Sequence, residues 1–426
     1  MKKTIFIITF LFSCLLFTQG QDFWEIVDPH KNVRAVDMNQ NGILYIGAED
    51  TIYNNAGLYR SEDNGVTWDF IWQSVNDHKP LAIHCIENKV YFSNQYRLIQ
   101  YMHSTQTFDT LFATGMSNLR CIRTGNSGEI YIGSDILYRS SDNGQTWDTI
   151  FNPEHNEEYI YDMMHLSADT MFIATVNWTG PGGIYRSTDG GETWDWVLEG
   201  CWRTSLEKTT DGVLFSGGYN CDQEPYHQVH ASFDSGETWE EVFSLYLLQV
   251  EDMAITPNNV VYFGAKMGSP DINGVYRSFD YGDTWSQVES DIITGWSYVY
   301  EIEALPDGRI YACANRNEPG VPGIDNLHRT TEPLYTNVSD IEKTVNAALL
   351  VRPNPAAEQV TIERTVPGNK ALLRIYDVNG TIIGKALFKE GQKQLKVNVA
   401  SWTKGMYFAR LVENGKTVGK AKLLVR

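Results

Sequence analysis

The chain has no apolar stretch long enough to cross a bilayer as a helix. Its longest, Ile5 to Phe17, is short and is followed by Thr18-Gln19-Gly20 rather than by a stop-transfer pattern. Its six cysteines include no Cys-x-x-Cys pair and its nine histidines do not cluster, so no zinc site of the usual spacing is expected and no cofactor is implied. Positive charge is scarce. Thirty-four Lys+Arg face 53 Asp+Glu, a formal net charge of −19, which argues against nucleic acid or anionic lipid as a ligand.

What is present is a phrase used five times. It reads Ser61-Glu62-Asp63-Asn64-Gly65-Val66-Thr67-Trp68 at its first appearance and returns at Ser140 to Trp147, Ser187 to Trp194, Ser232 to Trp239 and Ser278 to Trp285. A repeat of this kind signals one supersecondary unit used many times. Leu58-Tyr59-Arg60-Ser61 reads as a strand, Asp-x-Gly as a tight turn and Thr67 to Ile71 as the returning strand. The aspartate carboxylate is suited to accept backbone N–H bonds inside the turn, the glycine allows positive φ, and each tryptophan is expected in the core between neighbouring sheets.

A sixth, degenerate copy runs from Leu98 to Phe112, where the turn chemistry is lost and the strand pattern survives. Positions 68, 108, 147, 194, 239 and 285 then step by 40, 39, 47, 45 and 46 residues, which suits four short strands per unit. A seventh unit keeps Gly308-Arg309-Ile310-Tyr311 and Asn326 to Thr330 but lacks Thr-Trp. Its fourth strand is expected either from Phe23 to Asp28, which echoes Thr146 to Asn152, or from Leu334 to Val338.

These phrases resemble the Asp-box, or BNR repeat, of sialidases, sortilin-type receptors, xyloglucan-degrading endoglucanases and photosystem assembly propellers. The resemblance implies an all-β fold, a seven-bladed β-propeller over residues 21–339, with Asp63, Asp142, Asp189, Asp234 and Asp280 as structural turn ligands on the face away from the binding site.

Residues 1–20 read as a secretory signal peptide cut before Gln21, with Leu11 to Cys14 as a weaker lipoprotein-like alternative. Beyond residue 340 the charge changes sign, from −29 over residues 21–339 to +8 over 340–426. The tail reads as a linker, 340–350, and a small β-sandwich domain, 351–426, with strands at 359–363, 371–378, 394–399, 405–412 and 420–425. Arg352-Pro353-Asn354-Pro355, Leu373 to Gly380, Lys404 to Leu411 and Lys422 to Arg426 resemble the type A sorting domain of the type IX secretion system. That resemblance implies a Bacteroidetes-type bacterium, the secretion machinery as a partner of 351–426, export across the outer membrane, and removal of the tail on release or on attachment to surface lipopolysaccharide. A generic carbohydrate-binding sandwich is the alternative. No transmembrane span is expected in the mature chain. Of the cysteines left after signal removal, Cys201 and Cys221 form the expected disulfide, while Cys85, Cys121 and Cys313 read as small buried apolar residues.

In a propeller the innermost strands line a central channel. Aligning units on their second strands brings Asp37, His84, Arg120, Asp162, Ser205, Asp252 and Glu301 into one register. Asp37, Asp162, Asp252 and Glu301 are the candidate catalytic acids, since crowded carboxylates raise one another's pKa and divide acid and base roles. The same polar residues would also line a wet channel simply to stay solvated. His84, Arg120, Trp178, Trp202, Tyr226 and Trp296 are the candidate ligand-binding residues, joined on the loop face by His227, Tyr298, Asp222, Glu224 and Asp271. Two functions follow. One is a secreted, non-catalytic module that binds a glycan or protein on the cell surface. The other is a glycoside hydrolase, sialidase-like or endoglucanase-like. The chain has no Arg-Ile-Pro near its start and no directed arginine triad, and it has length for one propeller where the endoglucanases carry two, so binding is favoured.

Overall fold

The structure is a computed structural model that describes residues 24–426 apart from 29–30, 54, 75–77, 114–117, 154–156, 179, 181, 201, 220–225, 247, 267–273, 289–296, 317–324, 335–348, 365–370, 377–381 and 414–415. The signal segment and both halves of the expected Cys201–Cys221 pair lie outside the described residues.

Every regular element described is a strand. Up to Thr330 the strands form antiparallel sets of four, each a meander of consecutive hairpins, as alternating sequences with Gly- and Asn-rich turns dictate. The first set is Lys31–Met38, Leu44–Asp50, Asn55–Ser61 and Asp69–Gln73. The others begin with the inner strands Ile83–Ile86, Cys121–Thr124, Glu158–His165, Trp202–Lys208, Gln249–Ile255 and Ser297–Ala304. The fourth and fifth sets touch through a single backbone pair, Val176 with Trp202. The last set takes its outer strand from the other end of the chain, for Trp24–Asp28 pairs with Asp325–Thr330, Trp24 opposite Thr330. Of the two expected sources for that strand, the N-terminal one fills it. Trp24 is fully buried there.

The five serine–aspartate turns are alike. Each serine hydroxyl donates to its aspartate at 2.8–2.9 Å and accepts the glycine N–H at 2.8–2.9 Å. Each threonine donates its N–H to one carboxylate oxygen at 2.8–2.9 Å and its hydroxyl to the other at 2.5–2.7 Å. Those donors hold the Asp63, Asp142 and Asp189 carboxyls down at about 2. The turn needs two successive residues at positive φ, Asn64 at 60° and Gly65 at 85° in the first copy. A Cβ at Gly65 would stand 2.2 Å from Val27 Cγ1 on the neighbouring outer strand, so the glycine is needed for close approach as well as for its φ.

The tryptophans differ from expectation. Trp68, Trp147, Trp194, Trp239 and Trp285 are half-buried, not core. They sit at the sheet margin because the ring also bonds across it. The indole N–H groups of Trp147, Trp194 and Trp285 donate to Leu111, Ile150 and Val242 carbonyls on the outer strand of the preceding sheet, 3.0–3.1 Å away. Fully buried aromatic residues stand instead on the middle strands, among them Tyr45, Tyr91, Phe92, Phe172, Phe215 and Tyr262, with Trp24 on the closing strand.

The C-terminal strands form a second body with its own core around Val360, Ile362, Leu373, Ile375, Phe388 and Leu411. One sheet holds Leu349–Arg352, Gln359–Arg364 and Gln394–Asn398; the other orders Ile382–Phe388, Ala371–Tyr376, Gly405–Glu413 and Lys416–Val425. Leu349–Arg352 and Ile382–Phe388 are additions to the strands expected from sequence, and the last strand begins four residues before the expected Lys420.

Replacing Trp147 by alanine removes a half-buried ring that packs on Phe112 at 5.0 Å, together with a sheet-to-sheet hydrogen bond. We expect a loss of about 2–4 kcal/mol in chemical denaturation, below the full range for wholly buried rings. A loss under about 0.5 kcal/mol, the range of ordinary surface changes, would show that the ring does not tie the sheets.

Candidate functional site

Strand pairing fixes which end of the sheets is which. Met171 pairs with Ser187 at the start of a serine–aspartate turn, and also with His165, the last residue of the inner strand. Inner strands therefore begin on the face opposite those turns, and there they surround a cavity of about 200 Å³.

Five inner strands carry a bulge near their start, where the register shifts by one inserted residue between Val33 and Ala35, Ile160 and Asp162, Arg203 and Ser205, Val250 and Asp252, and Val299 and Glu301. The extra residues are Arg34, Tyr161, Thr204, Glu251 and Tyr300, and all five line the cavity. Bulges re-aim side chains, and here they build the cavity's rim. The Arg34 guanidinium carbon lies 3.8 Å from the centre of the Tyr300 ring, and Arg120 lies 4.6 Å from that of Tyr161. Lys266 bonds Glu251 at 2.6 Å.

Below the rim the inner strands present two rings of side chains, not the one register expected. Asp162, Ser205, Asp252 and Glu301 stand opposite Ala174, Gly217, Gly264 and Cys313 of their second strands. Asp37 and His84 stand opposite Tyr45 and Tyr91, two residues deeper, in the ring of Arg123, Glu207 and Glu303. The shared Asp-Met dipeptide misaligns the first unit with the fourth by two positions. Arg120 belongs to neither ring, since it precedes the strand Cys121–Thr124, and Arg123 takes the place expected for it. Arg123, Glu207 and Glu303 were missed, although two of them follow their expected neighbours, Ser205 and Glu301, by the two-residue period that a strand imposes.

The four expected acids are spent on backbone. Asp37 accepts the N–H of Met38 and of Cys85 in the next sheet, both at 2.7 Å. Asp162 accepts from Met163 at 2.8 Å and from Leu206 of the next sheet at 2.9 Å, and pairs with Arg123 at 2.7 Å. Asp252 accepts from Ile302 at 2.9 Å, and Glu301 from Val36 of the first set at 2.9 Å. Each carboxyl thus reaches the following inner strand. His84 makes the same step to Thr124 Oγ1 at 2.9 Å.

Burial dominates the titration of these groups. It lifts Asp37 to about 6 and Asp252 to about 7 against the pull of their N–H donors, and it raises Asp162 despite Arg123. Burial, reinforced by Asp162, lifts Glu207 to about 8, and burial reinforced by Asp252 pushes Glu301 and Glu303 well up. Burial then Arg123 lower His84 to about 4. Burial works against the Arg123 cation, but Asp162 keeps it charged. Among the described residues no group of His, Cys, Asp and Glu is arranged to hold a metal ion.

Of the expected binding residues, Trp178 is 53% exposed on the cavity's face and meets Trp202 edge-on at 4.2 Å, while the Trp202 indole N–H donates to Asn177 O at 2.8 Å. Tyr226 opens the strand Tyr226–Ser232, and His227 follows it. Tyr298 lies 6.4 Å from Tyr300 between ring centres. Trp296, Asp222, Glu224 and Asp271 lie outside the described residues. Cys121 and Cys313 are buried and Cys85 is half-buried.

Residues 350–426 match the secretion system C-terminal sorting domain family. No curated protein matches the chain in sequence. Among solved structures it is similar to the GH74 enzyme of Niastella koreensis, at 12% identity and a TM-score of 0.54 over 94% of this chain and 80% of that one. It is also similar to YCF48 from Cyanidioschyzon merolae, at 10% identity and a TM-score of 0.52 over 72% of this chain and 98% of that one. A chain of the mitotic checkpoint complex gives a TM-score of 0.52 at 12% identity, over 73% and 92%. At these identities the likeness is one of fold: an all-β, propeller-like architecture. The C-terminal match shows export by type IX secretion to the cell surface or beyond, and no helix among the described residues is long and apolar enough to cross a membrane.

The raised carboxyls set a pH dependence. A group whose folded pKa is raised contributes stability that is complete below its unfolded pKa and is lost as pH rises through the folded one. For Asp37, Asp252 and Glu207 that window runs from about 4 to about 8. We expect the denaturation midpoint to fall between pH 5 and pH 8.5, and Glu207→Gln to flatten the decline while matching the parent at pH 5. A parent more stable at pH 8.5 than at pH 5 would refute the assignment.

Proposed function

We propose that this protein is a seven-bladed Asp-box β-propeller carried by a C-terminal β-sandwich sorting domain, and that the propeller is a non-catalytic glycan-binding module exposed at the cell surface. The domain limits that go with this reading are 1–20 for the signal peptide, 21–339 for the propeller, 340–350 for the linker and 351–426 for the sorting domain. Seven blades are supported by the four-strand period and by the pairing of Trp24–Asp28 with Asp325–Thr330, which joins the two ends of the repeat and leaves no open sheet edge between them.

The observation that carries the binding reading is the occupation of Asp37, Asp162, Asp252 and Glu301 as backbone ties between sheets. A glycosidase acid must give its proton to a leaving group and its partner must face water or the sugar. Acids already held by neighbouring N–H groups suit architecture better than turnover. The rim and the loop face suit recognition: a cavity edged by tyrosines and cations, and an exposed Trp178 set edge-on against Trp202, a flat apolar platform of the kind that stacks on sugar rings. The competing reading, hydrolysis by an acid pair in the funnel, draws on Asp252, whose carboxyl sits near 7.

A glycan array probed with the purified propeller, followed by incubation of each bound glycan, separates the two. We expect retention without cleavage, and a loss of about tenfold in affinity for Trp178→Ala, as for a hot-spot aromatic. Cleavage that disappears in Asp252→Asn would make the protein an enzyme. Failure to retain any glycan would remove the binding reading.

Export gives a separate check. A chain lacking residues 353–426 keeps the inner-membrane signal and loses the second address, so we expect a folded protein confined to the periplasm. Undiminished surface display of that truncation would refute the sorting role.

A further inference from the structure

The sorting domain meets the propeller at one chemically specific place. Arg374 and Arg410, on adjacent tail strands, both stack on the ring of Tyr281, each guanidinium carbon 4.5 Å from its centre. Arg374 also pairs with Asp283 at 2.9 Å, Lys385 bonds the other oxygen of that carboxylate at 3.0 Å, and Arg410 pairs with Asp211. Arg374 and Tyr281 are fully buried, Tyr281 against a propeller core that includes Phe215 and Phe263, with its hydroxyl accepting from Asn259 at 3.3 Å.

An independent observation lies in the repeat. Tyr281 occupies the first positive-φ position of its serine–aspartate turn, at 62°, where the sister turns have Asn64, Asn143, Gly190 and Ser235. A bulky ring is the residue type least suited to that conformation. The fold breaks its own turn rule at the point where two tail guanidinium groups lie. Such departures mark positions held for something other than local stability. Charge agrees, since a propeller segment of −29 meets a tail of +8.

We propose that Tyr281, Asp283 and Asp211 form a clasp for the chain's own sorting domain, gripping Arg374, Arg410 and Lys385 while the tail is attached. Asp211 lies in the turn between Trp202–Lys208 and Leu214–Tyr219, and Asp283 lies in a serine–aspartate turn, so the clasp is on the face opposite the cavity. The attached tail therefore leaves the ligand face open.

The test uses the chain with its tail attached. Tyr281→Asn installs the residue of two sister turns, and Asp283→Gln installs that of Gln145. A zero-length carbodiimide should join Lys385 to Asp283 within one molecule, mapped by peptide mass spectrometry. We expect Tyr281→Asn, or 0.5 M NaCl, to cut that yield about tenfold, and both variants to enlarge the radius of gyration in small-angle scattering; Asp283→Gln, at an exposed position outside the core, does so without lowering the propeller's melting temperature. No Lys385–Asp283 crosslink in the parent, a crosslink formed only between molecules, or a scattering profile unchanged by either variant would overturn the clasp.

Discussion

A four-stranded sheet in this chain satisfies its backbone internally and offers its neighbours almost none, so the ring of sheets depends on ties from side chain to backbone. The channel carboxyls supply them on the inside, each reaching the N–H of the following inner strand. Three indoles, those of Trp147, Trp194 and Trp285, supply them on the outside, reaching a carbonyl of the preceding outer strand. Each such hydrogen bond contributes about 0.5–1.5 kcal/mol net. Apolar packing between sheets is larger in sum but is non-directional; the ties fix which sheet follows which and how far each is rotated.

This constraint also explains why the channel looks like an active site. Carboxyls placed to grip buried N–H groups must be desolvated, and desolvation together with crowding raises their pKa. Perturbed acids are a frequent mark of catalysis, yet structural networks perturb them too. The distinction rests on geometry: Asp37 and Asp162 use both oxygens on backbone, and Asp162 also carries Arg123. Above them stand the bulged residues, and a bulge is the device by which a strand turns a side chain away from its ladder. Chemistry open to a ligand is thus displaced upward, to the rim.

Much of the fold was legible because the turn is a local object. Ser, Asp, Gly and Thr bond within eight residues, so their spacing survives in the sequence, as does the alternation of the flanking strands. The site was less legible because its order depends on pairing between distant residues. Asp37 and Asp162 share a following methionine, yet they sit on different rings, and no local feature of Val36-Asp37-Met38 reveals where the bulge falls. Arg123 hid behind Arg120 for the same reason. In the tail, Ile382–Phe388 is interrupted by Gly384, where an added Cβ would meet the Trp402 ring at 3.3 Å. The tryptophans were legible as packing residues but not as half-buried ones, since the carbonyls they bind belong to another unit.

The division of the molecule into two working faces follows from strand direction. All inner strands run from the cavity face to the turn face, so every repeat delivers its variable loops to one side and its fixed turn chemistry to the other. Variation on the loop side changes what is recognised without touching the ties. Variation on the turn side is restrained by the hydrogen bonds of each copy, so a departure such as Tyr281 carries more information than any single loop residue. A tail held on the turn side then leaves recognition intact, because no bulged residue and none of the channel carboxyls stands among Asp211, Tyr281 and Asp283. The fold can be fitted with a detachable address on one face while the opposite face is already in its working form.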